Sequence, residues 1–176
     1  MKRKPFLIIL DGPMGAGKST VSELLHKRLH KKRGFTALIS LDKLKRIVSD
    51  YKMGSKFHLE IASDVGVLMA KEYLNRGFNV VVEKAFTTEQ FVNAFIKSLG
   101  NKSKVKIYQI EAPFDLRVKR IDKRGLPKGV KVKPSLRKIK RNTEHYNERK
   151  YQNAIVFDSS KLTPNQIANK IIGDIK

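Results

Sequence analysis

Five short apolar runs alternate along the chain with longer segments of mixed polarity. The runs are rich in Val, Ile, Leu and aromatic residues and are nearly continuous in hydrophobicity, which is typical of strands covered on both faces. They span residues 6–10, 36–40, 79–83, 105–110 and 154–158. This spacing predicts five short, buried strands.

The segments between these runs carry apolar residues at helical spacing, three or four positions apart. They predict helices over residues 19–32, 57–75, 89–99, 115–123 and 135–149, and a last helix that starts at Pro164 with Thr163 as its cap. Alternating strands and helices predict an α/β fold of three layers, in which helices cover both faces of a doubly wound, five-stranded parallel sheet. We expect one domain over residues 1–176, with the first strand in the middle of the sheet.

Composition limits the class of protein. The 176 residues are 40% hydrophobic and include no cysteine, which excludes disulfides, thiolate metal sites and cysteine nucleophiles. No stretch approaches the roughly 20 apolar residues that cross a bilayer. The apolar run 6–10 leads into a glycine-rich turn, so it indicates a strand and not a signal peptide. We expect a cytoplasmic protein with no membrane partner.

The charge of the chain is strongly positive. Lys and Arg number 38 against 16 Asp and Glu, a formal net charge of +22, which favours a phosphate-bearing or other polyanionic partner. Residues 117–141 contain twelve of these cations and one acid, a net charge of +11. Glycine and proline residues within this stretch predict a loop or short arms. We therefore expect a basic lid inserted at about residues 117–150.

The strongest motif lies directly after the first predicted strand. Residues 12–19 read GPMGAGKS and match the pattern of a phosphate-binding P-loop, a glycine, four residues and then Gly-Lys-Ser or Thr. Such a loop points backbone N–H groups at a phosphate, Lys18 reaches the β- and γ-phosphates, and the Ser19 hydroxyl binds Mg²⁺. The residues expected to bind the nucleotide are Gly12, Met14, Gly15, Ala16, Gly17, Lys18, Ser19 and Thr20.

Two acids follow predicted strands at the edge where ligands bind in such sheets. Asp42 could accept the proton of an attacking hydroxyl or hold that hydroxyl in line, and it could equally cap the following helix. Glu83 could hold a Mg²⁺-bound water or a substrate hydroxyl, or form a salt bridge with a basic neighbour. Lys45 and Arg46 lie one turn beyond Asp42, where they could bind an anionic substrate or form a solvated basic face.

These motifs together resemble the small P-loop kinases, the group of polynucleotide kinase, zeta toxins and chloramphenicol phosphotransferase, with a fold like that of nucleoside monophosphate kinases. The resemblance rests on GPMGAGKST, ISLDKLKR, NVVVEKAFTT, EAPFDLRVKRIDKR and FDSSKLTPNQIANKI. It implies that Asp42 acts as base toward the acceptor hydroxyl. It also implies that Arg120 and Arg124, with Arg117 as a further candidate, belong to a lid that closes on the triphosphate, Arg120 binding the nucleotide. Where polynucleotide kinases often carry an arginine, this chain has Lys45.

We therefore expect an ATP- and Mg²⁺-dependent phosphotransferase that acts on a hydroxyl of a nucleic acid or nucleotide. A kinase of a small metabolite, including one that is already phosphorylated, is an alternative. So is an ATP-binding, RNA-binding protein with little catalysis. The chain has no Asn-Lys-x-Asp guanine motif, which disfavours a GTPase, and it is too short for the usual accessory elements of motor or AAA-type ATPases.

The basic stretch admits three interpretations. It could bind RNA or DNA along the backbone, with Tyr146 and Tyr151 stacking on bases. It could hold a small polyanionic metabolite, or it could be a solvated, lysine-rich surface.

Overall fold

The computed structural model describes residues 4–49, 52, 54–84, 89–100, 103–126, 132–147, 151 and 153–175, without the side chains of residues 89–91. Within these residues, five strands form one sheet in which every neighbouring pair is parallel. The strands are β1 (Phe6–Asp11), β2 (Thr36–Ser40), β3 (Asn79–Glu83), β4 (Lys104–Glu111) and β5 (Ile155–Asp158). Their order is β2-β3-β1-β4-β5, so the predicted α/β sheet with the first strand in the middle is confirmed.

Helices cover both faces of the sheet. They are α1 (Lys18–Arg33), α2 (Leu41–Leu44), α3 (Lys56–Asn75), α4 (Glu89–Leu99), α5 (Phe114–Lys123), α6 (Leu136–Asn147) and α7 (Pro164–Asp174). The predicted helices agree with these bounds to within two residues. The helix expected to follow Asp42 is the single turn α2, which begins one residue before Asp42 and is anchored by the fully buried Leu41. Residues 127–131 and 148–150 of the predicted lid lie outside the described residues.

The alternation of side chains along β1 divides the core in two. Phe6, Ile8 and Leu10 pack in a cluster with apolar residues of α1 and α7. Leu7 and Ile9 pack on the opposite face with residues of α3 and α4. Because both faces are covered, all six residues of β1 are buried, which explains its continuous hydrophobicity.

The parallel strands all end at the same edge of the sheet. The register pairs Leu10 with Glu83, and Glu83 with Ser40. The loop after β1, the carboxylate that ends β3 and the turn that follows β2 are thereby brought together. This edge is where parallel sheets of this type bind ligands.

The last helix begins as the sequence predicts. Thr163 accepts a hydrogen bond from the backbone of Gln166, whose side chain in turn accepts one from the backbone N–H of Thr163, and Pro164 occupies the first helical turn. This cap fixes the start of α7 beside the same edge. Among the described residues, no helix is both long enough and apolar enough to cross a membrane.

Candidate active site

The loop between β1 and α1 has the backbone that its glycines predict. Gly12 and Gly15 have φ values of 145° and 80°. A Cβ atom on Gly12 would lie 2.1 Å from the carbonyl oxygen of Ile110, and one on Gly15 would lie 2.7 Å from that of Arg117. Positive φ and close backbone approach both exclude a side chain at these positions. The loop is therefore folded tightly against β4 and α5.

Lys18 lies inside this loop. Its side chain is buried and its Nζ donates a hydrogen bond of 3.0 Å to the carbonyl of Pro13. Burial lowers the pKa of Lys18, while the nearby carboxylates of Glu83, Asp11 and Asp42 act in the opposite direction. A buried ammonium at the start of α1, directly after a glycine-rich loop, is suited to bind a phosphate group.

The Ser19 hydroxyl donates a hydrogen bond of 2.9 Å to Oε1 of Glu83, a buried carboxylate at the end of β3. This contact brings together two hard oxygen donors beside Lys18. Mg²⁺ prefers oxygen ligands and commonly binds one or two carboxylates together with phosphate oxygens and water. Across the described part of the chain, no group of three or more His, Cys, Asp or Glu could hold a metal. The Ser19–Glu83 pair fits an ion whose remaining ligands are phosphates and water.

Asp42 lies in the first turn of α2, whose N-cap position is held by Ser40. The interpretation of Asp42 as the helix cap is therefore wrong. Its carboxylate lies 2.5 Å from Nζ of Lys45. Burial alone would raise the pKa of Asp42, but the ammonium groups of Lys45, Lys18 and Lys84 hold it below its usual value. Asp42 is therefore ionised at neutral pH and lies on the same cleft as the P-loop.

This cleft has a volume of about 610 Å³ and is lined by the P-loop and the start of α1. On the side of β4 and β5, its wall is formed by four apolar residues and two arginines. We call this the apolar half, and it consists of Arg120, Ile121, Arg124, Leu126, Pro164 and Ile167. On the side of β2 and β3, the wall carries Asp42 and four cations. We call this the lysine half, and it consists of Asp42, Lys45, Arg46, Lys84 and Lys138.

Of the three predicted lid arginines, Arg117 is not in the cleft. It is fully buried on α5, and its guanidinium donates to the carbonyl of Ala112 at 3.0 Å, the carbonyl of Met14 at 3.2 Å and the hydroxyl of Thr143 at 2.7 Å. The side chain supports the P-loop from behind. The interpretation of Arg117 as a lid residue is therefore wrong. The loop or short arms predicted from residue 117 begin later, because α5 continues to Lys123.

Arg120 and Arg124 both line the cleft. Arg120 donates two hydrogen bonds to Ser159, at 2.8 Å to its hydroxyl and 2.9 Å to its carbonyl. The Ser159 hydroxyl donates in turn to the carbonyl of Ala16 in the P-loop. Arg124, one turn further on, is exposed at the end of α5. Both arginines thus line the same cleft as the P-loop; their place in a lid that closes on a triphosphate stays a prediction.

Asn142 is a site residue that the sequence analysis missed. Its Oδ1 accepts a hydrogen bond of 2.8 Å from the backbone N–H of Met14, and the next residue, Thr143, contacts Arg117. Helix α6 is therefore fastened to the P-loop at two adjacent positions. An asparagine within a strongly polar helix belongs to no motif, so the sequence contains no signal for this contact.

Tyr146 and Tyr151 do not form a stacking surface for bases. Their exposed fractions are 7% and 6%. The Tyr146 hydroxyl donates a hydrogen bond of 3.0 Å to Glu111, and burial raises the pKa of this phenol. The predicted role of the two rings in stacking on nucleic acid is wrong.

With this geometry established, comparisons with known proteins identify the family. The chain matches the family model AAA_33, described as an AAA domain, over residues 7–148. A probable adenylyl-sulfate kinase from Pyrococcus abyssi (strain GE5 / Orsay) is 28% identical over 173 residues, which cover 97% of this chain and 95% of the relative. The match to the family model runs from β1 to the end of α6, so it includes the P-loop, Asp42, Glu83 and both cleft arginines.

Solved structures share the fold at low sequence identity. The Mycobacterium tuberculosis APS kinase CysC in complex with AMPPNP and APS matches with a TM-score of 0.72 and 16% identity, over 97% of this chain and 96% of that chain. A chain of the Pnkp1/Rnl/Hen1 RNA repair complex matches with a TM-score of 0.67 and 17% identity, over 84% of this chain and 46% of that chain.

These findings narrow the expectations from the sequence. The expectation that chain length disfavours an AAA-type protein is wrong, because residues 7–148 match a family model described as an AAA domain. The P-loop, the all-parallel five-stranded sheet and the kinase relatives agree on a small P-loop kinase. The chain belongs to the AAA_33 family of AAA domains and is a kinase-like P-loop NTPase.

Proposed function

We propose that this protein transfers the γ-phosphate of ATP, in the presence of Mg²⁺, to a hydroxyl of a nucleotide or nucleic acid. The observation that carries the proposal is the ionised Asp42, which lines the phosphate-binding cleft but is separate from the Ser19–Glu83 pair. One carboxylate is thus available beside the metal position, and a second is available to the acceptor. A hydrolase would also use such an acid, to orient water, so the feature that favours a larger acceptor is the room in the cleft of about 610 Å³ that Asp42 lines.

ATP would lie with its triphosphate on the P-loop. Lys18 then exchanges its hydrogen bond with Pro13 for one with the β- and γ-phosphates. Arg120 and Arg124 stabilise the charge that develops on phosphate oxygens during transfer. The apolar side chains of Leu126, Pro164 and their neighbours provide the surface against which a planar base packs.

Ser19 and Glu83 are the residues that would hold Mg²⁺. Bound there, the ion would neutralise charge on the phosphate oxygens. Glu83 has the geometry for this role because its carboxylate already accepts the Ser19 hydroxyl, and β3 lies next to the P-loop strand.

Asp42 would accept a hydrogen bond from the acceptor hydroxyl and hold its oxygen in line with the γ-phosphorus. Its lowered pKa makes it a weak base, so it contributes mainly by orientation and charge. This is sufficient because phosphoryl transfer passes through a loose transition state, and the hydroxyl proton needs to leave only as the new O–P bond forms. Lys45 fixes the carboxylate in position.

Two observations bear on the acceptor. The relative from Pyrococcus abyssi is named for an adenylyl-sulfate substrate, and the Mycobacterium tuberculosis structure holds APS. The burial of Tyr146 and Tyr151 removes the stacking platform that a long single strand would use. Both observations favour a nucleotide as the acceptor. The likeness to a chain of an RNA repair complex supports a nucleic-acid end as the second candidate.

A transfer assay with γ-labelled ATP tests the proposal. Mononucleotides, RNA and DNA oligonucleotides and neutral alcohols would be offered separately as acceptors, and label in the product would be measured beside acceptor-free ATP hydrolysis. We expect labelled product with at least one nucleotide or oligonucleotide, at a rate above that of hydrolysis. Hydrolysis that no acceptor redirects into product would contradict the proposal.

A further inference from the structure

The lysine half of the cleft contains more positive charge than phosphoryl transfer requires. Three ammonium groups reach it from separate elements, Lys45 from the turn after α2, Lys84 from the end of β3 and Lys138 from α6. Nζ of Lys138 lies 4.0 Å from the position of a Cβ on Gly54, so this side chain of α6 reaches the residues just before α3. The three lysines therefore converge on one wall although they are far apart in sequence.

Burial and mutual repulsion both make the charged form of these three lysines less favourable. Lys84 is 2% exposed, and the charged groups that act on it are Lys45, Asp42 and Asp11. Burial and the charge of Lys45 lower the pKa of Lys138. Asp42 already pairs with Lys45. A further negative charge on this wall would stabilise all three groups at once.

We propose that the lysine half is an anion-binding site for a phosphate or sulfate group on the acceptor, and that Lys84 and Lys138 hold this group while Asp42 holds the reacting hydroxyl. This inference rests on the proposed function. It narrows the acceptor to hydroxyl compounds that already carry a phosphate or sulfate ester, as mononucleotides do, and it excludes neutral alcohols and nucleosides.

The anchoring of α6 gives this site a fixed distance from the P-loop. Lys138 and Asn142 are four residues apart and share one face of the helix. Asn142 binds the backbone of Met14, so Lys138 is held one helical turn from a rigid contact with the phosphate cradle. The hydroxyl and the anionic group of the acceptor must therefore match a set separation, which selects among phosphate esters.

The test measures anion binding without turnover. The protein would be saturated with AMPPNP and Mg²⁺, so that the P-loop is filled, and titrated with inorganic sulfate by calorimetry against chloride at equal ionic strength. AMP, adenosine and a short oligonucleotide would then be compared in the same way. The variants are Lys138→Ala and Lys84→Met, with Lys140→Ala as the control, since it removes an exposed charge from the same helix outside the cleft.

We expect one sulfate per molecule, bound about tenfold more weakly by Lys138→Ala and Lys84→Met and unchanged by Lys140→Ala, because each lost contact is a charge-assisted hydrogen bond. AMP should bind more tightly than adenosine and at least as tightly as the oligonucleotide. A complex that binds AMPPNP but no sulfate, or equal effects of Lys138→Ala and Lys140→Ala, would overturn the inference alone. Failure to bind AMPPNP would overturn the proposed function as well.

Discussion

The two halves of the cleft share one P-loop and differ in almost every physical respect. The apolar half is built from the ends of α5 and α7, with two arginines at its border. The lysine half carries an ionised carboxylate and four cations from α2, β3 and α6. A planar base gains from apolar packing, whereas a phosphate ester gains from fixed positive charge. Under the proposed function, this difference places the nucleotide and the acceptor on opposite sides of the γ-phosphate.

The largest loss of phosphoryl transfer should follow substitution of Lys18, the P-loop residue that both halves of the cleft share. Lys18→Ala removes the ammonium at the β- and γ-phosphates, and we expect transfer to fall by about 10³-fold or more because its electrostatic stabilisation is lost. The transfer assay measures this, and a circular dichroism melting curve provides the control that the variant is folded. A folded variant with near wild-type transfer would contradict the assignment of the P-loop.

The next largest loss of transfer should follow substitution of Asp42 in the lysine half, without a loss of nucleotide affinity. Asp42→Asn keeps the size of the side chain but removes its charge, so we expect transfer to fall by about 10²-fold, the contribution typical of a positioned acid or base. The affinity for AMPPNP, measured by calorimetry, should change by less than about twofold, since the base and triphosphate lie elsewhere. Equal losses of transfer and nucleotide affinity would make Asp42 a structural residue only.

A smaller effect is expected in the apolar half. Arg124→Ala removes a guanidinium that stabilises the charge developing on the phosphate oxygens, and we expect kcat and kcat/KM for ATP to fall about tenfold from the loss of a charge-assisted contact. The KM for the acceptor should stay constant. Lys123→Ala is the matched control, because Lys123 is an exposed neighbour on the same helix that does not line the cleft. Identical kinetics of the two variants would contradict a role of Arg124 in the site.

The smallest expected effect is a change with pH in the KM for an anionic acceptor. Burial lowers the pKa of Lys84 to about 8, so its ammonium is present below that pH and is lost above it. The KM for an anionic acceptor should therefore rise by about a few fold between pH 7 and 9, while the KM for ATP stays flat over this range. Steady-state kinetics measure both values. Lys84→Met should reduce the pH dependence and leave only the part due to Lys138, whose pKa is also lowered; a rise of undiminished size in this variant would assign it to another group.

The sequence predicts the parts of this cleft that are local. Strands covered on both faces are continuous in hydrophobicity, and the P-loop motif carries its own backbone geometry, so both could be predicted from spacing. Asp42 and Glu83 were found because each lies at a strand end, and parallel strands end together.

The parts that depend on tertiary packing could not be predicted. Arg117 and Arg124 look alike in a basic stretch, yet one is fully buried behind the P-loop and the other is exposed on the cleft. The contact of Asn142 with Met14 joins residues 128 positions apart. Lys84 and Lys138 line the same cleft only in the folded chain, where Lys138 lies near Gly54, and a net charge of +22 offers no sign of which cations converge.

Photolabelling tests the assignment of the two halves most directly. The protein would be irradiated with 8-azido-ATP and Mg²⁺, and the modified residues would be identified by peptide mass spectrometry, with excess ATP as the competitor. We predict that ATP-protected modification falls in the apolar half, at residues 120–126 or at the start of α7 near Pro164 and Ile167. Protected modification in the lysine half, at residues 42–46 or around Lys138, would contradict the account.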